Sequence, residues 1–330
     1  MTPEYIGVDL HKAFFQACAL TPAGDRLWEA RFARTPEGWT QFAPRLGAQT
    51  TVAVEASGPT WAFVDRVATT GARVCVVDTR KTKLKAGYAA KTDRLDARRL
   101  ADAVRRESVV SIYVPPPAIR ALREVCRHRH QLVRLRTRVV QMLRALLLRM
   151  DVADAPMRRL YSARGVAWLE QVGVPAEAAA SCRRLTHLLR LIQEDVETAD
   201  AQVQALAKTD PIVGVLETMV GIGPVLGLTL RAEIGDITRF PHGAQLASYA
   251  GIVPRVTQSA GKGYTGRITR DGAPWLRYAL VEAAGHGLKR QDARGRWARQ
   301  VARRRGLNKA RVALARRMCD EIVRMWPRSA

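Results

Sequence analysis

The sequence predicts an α/β domain at its N-terminal end followed by all-α segments. Three observations carry that expectation. Over residues 1–114, short runs rich in β-branched and aromatic residues alternate with amphipathic stretches. Three consecutive prolines, Pro115, Pro116 and Pro117, then interrupt the chain. Beyond them, apolar residues recur at seven-residue spacing.

Tyr5 to Leu10, Phe14 to Leu20 and a segment near Leu27 to Phe32 are expected as strands of an antiparallel meander. A turn at Pro22-Ala23-Gly24-Asp25 separates the second from the third. Pro36 to Ala43 has the signs of a helix, with Thr35 as N-cap and Pro36 at the first helical position. Thr50 to Glu55 and Arg73 to Val77 have the composition of buried strands, and Trp61 to Thr70 lies between them as a helix. Thr92 to Glu107 is expected as a helix with Leu95, Leu100, Ala101 and Val104 on one side. No helix runs through three prolines, so a boundary is expected there. The domains are therefore taken as 1–114, 118–207 and 208–330.

In the second domain Val125, Leu132, Val139 and Leu146 form a heptad series, with Leu135 and Met142 filling the alternate seam. Leu189, Ile192, Val196, Ala199, Val203 and Leu206 repeat the same rhythm. An antiparallel hairpin and a coiled-coil dimer seam both satisfy this pattern, so a homo-oligomer is one expectation. Asp151 to Ala180, holding Gly165, Gly173 and Pro175, reads as a turn or irregular cap. The third domain reads as helical at both ends with a Gly-rich loop between.

Charge narrows the function. The 330 residues include 54 Lys and Arg against 30 Asp and Glu, a net charge of +24. Such a surplus attracts polyanions through its long-range field and through counterion release, and nucleic acid is the usual partner. Aromatic residues make up only 6%, which argues against base stacking as the obvious binding mode. The segment after the prolines carries Arg120, Arg123, Arg127, Arg129, Arg134, Arg136, Arg138 and Arg144 with Glu124 as its acid. It reads as a phosphate-facing surface, with Arg127, Arg134 and Arg138 as candidate contacts. The five cysteines stand singly with no CxxC pair, which argues against a zinc module or disulfide framework and fits a reducing cytoplasm. The opening MTPEYIGVDLHK has no basic region ahead of an apolar core, so no signal peptide is expected. No apolar run reaches ~18 residues, so no membrane span is expected.

Chemistry has three candidate locations. Asp9 and Glu55 end predicted strands, and Asp93 and Asp96 lie three apart on one face of a predicted helix. A strand-end Asp is ordinarily a turn residue, and an Asp pair opening a helix ordinarily serves the cap and the dipole. Gathered together, the four would repel one another unless a cation neutralised them. Hard oxygen ligands select Mg2+ or Mn2+, and two such ions can hold attacking and leaving oxygens of a phosphodiester. The second location is Gly221-Ile222-Gly223 between two short apolar helices. Its backbone N–H groups could approach a phosphate, as in a helix-hairpin-helix module, or the glycines could make a plain helix–helix turn. The third is the loop holding Ser259, Gly261, Gly263 and Gly266, flanked by Arg255, Lys262, Arg267 and Arg270. A serine there has no local histidine, but the cations could stabilise a phosphorane-like transition state. Thr257, Thr265 and Thr269 compete for the nucleophile's role.

Several segments together resemble the transposases of the insertion sequence 110 family, bridge-RNA-guided serine recombinases. The resemblance covers nearly the whole chain. It runs through YIGVDLHK with Asp9, VAVEASGPT with Glu55, KTDRLDARRLA with Asp93 and Asp96, VGIGPVLGLTLRAEIGDITRFPHGAQLASYAGIVPR, and TQSAGKG with Ser259. It implies an RNase H-like, RuvC-like DEDD domain, a coiled-coil connector and a small helical domain carrying the catalytic serine. It further implies a covalent phosphoserine link assisted by magnesium, and a structured RNA that pairs with donor and target DNA. Two other readings remain open on the residues. One is a RuvC-like nuclease or junction resolvase using water as nucleophile. The other is a structural DNA- or RNA-binding protein indifferent to its carboxylates. An actin-like ATPase also opens with a strand-end Asp, but a second Gly-rich phosphate loop is missing from the sequence.

Overall fold

A computed structural model describes residues 4–82, 92–152, 155–259 and 262–327; the side chains of residues 80, 256–259 and 262–265 lie outside that description. The chain divides into two compact units, Met1–Val114 and Pro115–Ala330.

The first unit is built on β1 (Glu4–Leu10), β2 (Phe14–Leu20) and β3 (Arg26–Ala33), then α1 (Pro36–Phe42), β4 (Thr50–Glu55), α2 (Thr60–Ala68), β5 (Arg73–Val77), the single turn α3 (Thr79–Thr82) and α4 (Asp93–Arg105). The strands form one sheet in the order β3-β2-β1-β4-β5. β2 is antiparallel to both neighbours, and β1, β4 and β5 run parallel. This is the expected meander joined to a parallel extension. The expected caps form as well. The Thr35 hydroxyl accepts from Gly38 N–H, and the Thr92 hydroxyl accepts from Leu95 N–H.

Strand alternation divides the sheet into two faces. Ile6, Val8, Phe15, Ala17, Val52 and Val54 pack with Phe42 and Phe63 of α1 and α2. The aromatic rings of Phe15, Phe32, Phe42 and Phe63 lie at centroid spacings of 5.0–6.1 Å within that core. The other face carries Gly7, Cys18, Ala53 and Cys75 and is covered by α4 through Ala97, Leu100, Ala101 and Val104. Gly7 governs this packing. A Cβ placed there would lie 1.9 Å from the Ala97 carbonyl oxygen and 2.4 Å from the Ala101 nitrogen. Helix backbone, which cannot yield as a flexible side chain can, occupies the space a side chain would need.

In the second unit, α5 (Pro117–Arg149) and α7 (Ala176–Thr209) are long helices flanking α6 (Ala163–Gln171). Arg129 donates to Asp200 at 2.7 Å and Arg136 to Gln193 at 2.8 Å, so α5 and α7 run antiparallel. Two sequence expectations need correction here. The stretch expected as an irregular cap contains α6 and the first turn of α7. The seam of α5 is filled by Val139, Leu143, Leu146 and Leu147, while Leu135 and Met142 remain nearly half exposed. The chain continues through α8 (Pro211–Glu217), α9 (Pro224–Ile234), α10 (Gly243–Tyr249), the strands β6 (Pro254–Ser259) and β7 (Lys262–Ile268), α11 (Pro274–Gly287), α12 (Ala293–Arg305) and α13 (Leu307–Met325). Ile234, Leu246, Leu280 and Ile322 belong to the core that α9–α13 share.

The N-terminal part of α5 is fastened to α9. Arg123 donates to the carbonyls of Ala232 and Glu233, satisfying the last turn of α9. Arg127 makes two hydrogen bonds, at 2.8 and 3.0 Å, to the buried Glu233 carboxylate. The five cysteines are all buried and free. No helix among the described residues is long and apolar enough to cross a membrane.

Gly7→Ala is expected to destabilise the first unit by more than the ~1–3 kcal/mol typical of overpacking, because backbone must move. Thermal unfolding of the variant checks this, and a melting curve matching the parent would show that α4 does not depend on the contact.

Candidate active site

The site lies at the C-terminal ends of β1 and β4, beside the N-terminus of α4. Parallel pairing aligns Val8 with Val54, so Asp9 and Glu55 follow as the next residues on neighbouring strands. Asp9 lies opposite Gln16, and Gln16 lies opposite Arg31. Directly opposed residues share a face, so Asp9, Gln16 and Arg31 form a row across three strands on the α4 side of the sheet. The close approach at Gly7, two residues before Asp9, brings the first turn of α4 over that row and supplies Asp93 and Asp96.

Asp9, His11 and Asp93 each offer a ligand atom within 4.8 Å of the others. His11 Nε2 lies 3.1 Å from Asp9 Oδ2 and 3.3 Å from Asp93 Oδ1. The His11 ring stacks on Phe14, and the Arg31 guanidinium lies 4.1 Å from the Phe14 ring centroid while reaching Asp93 Oδ2 at 3.4 Å. Asp96 is held by Arg99 at 3.0 Å. Glu55 Oε1 accepts a short hydrogen bond from the Thr79 hydroxyl.

Burial pushes the Asp9 carboxyl above its ordinary range; His11 opposes that shift, and the charges of Asp93 and Asp96 add to it. Asp9, Asp93 and Asp96 therefore share one electrostatic neighbourhood. The Glu55 carboxylate is outside the close triad. The sequence reading did not select His11, Gln16 or Arg31. His11 was open to notice, since a residue two past a strand-end Asp shares its face. Gln16 and Arg31 enter through cross-strand register.

The donor set suits a divalent cation. Two carboxylates and an imidazole meet, a third carboxylate adds negative potential, and partial burial disfavours the charged form of Asp9.

In the second unit, the segment expected as a Gly-rich loop contains two antiparallel strands in which Ser259 pairs with Lys262. Ser259 and Lys262 are described in their backbone alone, and Gly261 lies outside the described residues. Arg255, Arg267 and Arg270 are exposed, and Arg270 has a positive φ of 58°. Gly221, with φ 94°, fits closely against α11, where a Cβ would lie 2.5 Å from the Ala283 carbonyl oxygen; Gly223 has open space. Packing alone thus accounts for a glycine at 221.

Comparison with known proteins gives these positions a context. Residues 6–151 match the model of a transposase domain, the DEDD transposase of IS110 type. Residues 213–302 match a second model, described as transposase of the IS116/IS110/IS902 family. A protein of Pseudomonas aeruginosa named "Probable family 20 transposase" is 30% identical over 68% of this chain and 69% of its own length. The chain belongs to the IS110 family of transposases. The transposase for insertion sequence element IS1111A of Coxiella burnetii is 25% identical over 94% of this chain and 86% of its own. The transposase for element IS1328 of Yersinia enterocolitica is 24% identical over 87% and 84% respectively. The first IS110 match spans Asp9, Glu55, Asp93 and Asp96, and the second spans Gly221 and Ser259.

The raised Asp9 pKa has a signed consequence. Its folded value exceeds its unfolded one, so ionisation opposes folding; the cost is absent at low pH and complete above the folded pKa. At neutral pH without metal, Asp9→Asn is expected to melt no lower than the parent. Mg2+ or Mn2+ at about a hundredfold its dissociation constant should add ~2.7 kcal/mol to the parent and little to the variant. Equal divalent stabilisation of both in thermal melts would remove Asp9 from the ligand set.

Proposed function

We propose that this IS110-family chain is a DNA transposase that cleaves and rejoins strands through Ser259, assisted by a carboxylate–magnesium site. The observation that carries the reading is the meeting of Asp9 and Asp93 at one end of the sheet, with Asp96 in their field. The sheet order, with β2 alone reversed, supports an RNase H-like assignment of the first unit. Asp9, Glu55, Asp93 and Asp96 would hold Mg2+ or Mn2+, with His11 as a further donor. For Glu55 this requires release from Thr79, and for Asp96 a turn away from Arg99. A divalent cation held there would supply Lewis-acid stabilisation of the phosphodiester's negative charge.

The Ser259 oxygen bonds to phosphorus, and the bond from phosphorus to one deoxyribose oxygen breaks. The hydroxyl proton leaves to solvent, and the departing oxygen takes one up. Arg255, Lys262, Arg267 and Arg270 stabilise the charge that gathers on the phosphoryl oxygens. The serine ester preserves the phosphate bond, so rejoining needs no high-energy cofactor. Arg134, Arg138 and the Gly221–Gly223 turn hold DNA backbone, and an RNA from the element selects donor and target by pairing.

Ser259→Ala is expected to abolish a covalent protein–DNA adduct, read on a denaturing gel, while leaving DNA affinity within about twofold. Asp93→Asn is expected to reduce strand cleavage at least a hundredfold. Cleavage by the serine variant with free 5′-phosphate ends would instead establish a nuclease that uses water. Undiminished recombination by Asp93→Asn would remove the metal site from the chemistry.

A further inference from the structure

We infer that a trough between α5 and α11 binds an unpaired nucleotide of a DNA strand, stacking its base on Trp275 and Tyr278. The inference rests on the reading of the chain as a DNA-processing enzyme and adds a site where DNA is held open. The trough measures about 830 Å³ and is lined by Gln131, Arg134, Leu135, Arg138, Trp275 and Tyr278 among others. That size falls within the ~300–1,000 Å³ of clefts that enclose small ligands.

The lining carries the two groups that single-strand binding needs. His130 is buried and stacks on one face of Trp275 at 4.7 Å with an interplanar angle of 12°, which fixes the indole. Tyr278 meets Trp275 edge-on at 6.1 Å and is 41% exposed. Burial and the charge of Arg129 push the His130 pKa down to about 4, so at neutral pH the ring under the indole is uncharged. An aromatic plane held this way accepts any base by stacking. Arg134 and Arg138 supply the phosphate contacts. Most arginines earlier on α5 are engaged inside the protein: Arg123 and Arg127 with Glu233 and its neighbour, Arg129 with Asp200. Arg134 and Arg138 are exposed, and neither has a partner among the described residues. One turn apart on the same helix, they present a doubly positive edge along the trough. Glu282, one turn beyond Tyr278, is the acid whose charge acts on that phenol.

Position in the chain selects DNA. Trp275 lies on the first turn of α11, which follows the Ser259 hairpin. Arg277 on that turn donates to the Ala250 carbonyl, tying the start of α11 to the residues that lead into the hairpin. A strand parted from its complement beside Ser259 exposes its bases, and the trough offers a seat for one of them nearby in the chain.

The test uses the full chain, a fluorescent dT20 oligonucleotide, a duplex of the same length and a matched rU20 strand. Trp275→Leu is expected to weaken dT20 binding by about tenfold or more, the size of effect that losing one stacked base produces. Duplex affinity should change less than twofold, and Trp275→Phe should restore most of the dT20 affinity. Arg134→Gln with Arg138→Gln, both on exposed positions, should lower the salt dependence of dT20 binding by about one to two in log–log slope. Equal losses on single strand and duplex, or none on either, overturn the site. A larger loss for rU20 than for dT20 overturns the assignment to DNA. Each outcome is independent of Ser259→Ala, which leaves the trough intact and reports on the nucleophile alone.

Discussion

The first unit depends on one contact, the seating of α4 directly on the backbone of β1 at Gly7. Ala97 and Ala101 on the helix are fully buried and small, and the glycine beneath them removes the last obstacle to close approach. Helix and strand therefore meet backbone to backbone, which leaves little freedom for sliding or rotation. Asp9 is two residues beyond Gly7, and Asp96 is the residue before Ala97. The carboxylates are thus positioned by the tightest packing in their neighbourhood. A loop could not hold mutually repelling charges in register with such economy, since repulsion would open it.

The second unit spends its basic residues in two ways. On α5, Arg123 and Arg127 enter a network with Glu233 and the end of α9, and Arg129 and Arg136 cross to α7. Of these partners Glu233 is the buried charge, and stranding such a charge by removing its cation is strongly destabilising. These arginines therefore hold the helices together. Arg134 and Arg138 have no such partner among the described residues, and the field that attracts a polyanion comes from residues of this second kind. A net charge of +24 overstates the surface available to nucleic acid.

Much of the fold was legible because its determinants are local. Thr35-Pro36 and Thr92 announce helix starts through side-chain caps, and the strands announce themselves through alternation and β-branched runs. Asp9, Asp93 and Asp96 could be selected because strand ends and helix starts are visible in sequence. What escaped depends on register and on competition between neighbours. Leu143 rather than Met142 fills the α5 seam, since a straight helix of 3.6 residues per turn drifts away from a strict heptad. The row of Gln16 and Arg31 beside Asp9 follows from cross-strand pairing, which no linear pattern displays. The hairpin of β6 and β7 escaped because the glycines of this segment signal a loop by composition, although Gly263 pairs with Gln258 across the strands. Glu55 was expected at a strand end and does end β4, which pairs with β1, but the Thr79 hydroxyl that holds its carboxylate lies in a different turn.

The two units pose complementary electrostatic problems. A phosphodiester is repelled by Asp9, Asp93 and Asp96 unless positive charge intervenes, so the acidic site by itself cannot supply affinity for a nucleic acid. His11 and Arg31 already sit against these carboxylates, but they reach only Asp9 and Asp93 and leave Asp96 to Arg99. The second unit carries arginines free of internal partners together with fixed aromatic rings, a combination suited to holding a strand but lacking a comparable cluster of acids among the described residues. Separating the two tasks lets each unit satisfy its own folding constraints: close backbone packing gathers like charges in one, and ion pairs leave a few cations unspent in the other. The acidic cluster and the arginines without internal partners thus lie in different parts of the chain, and loss of one need not unfold the other.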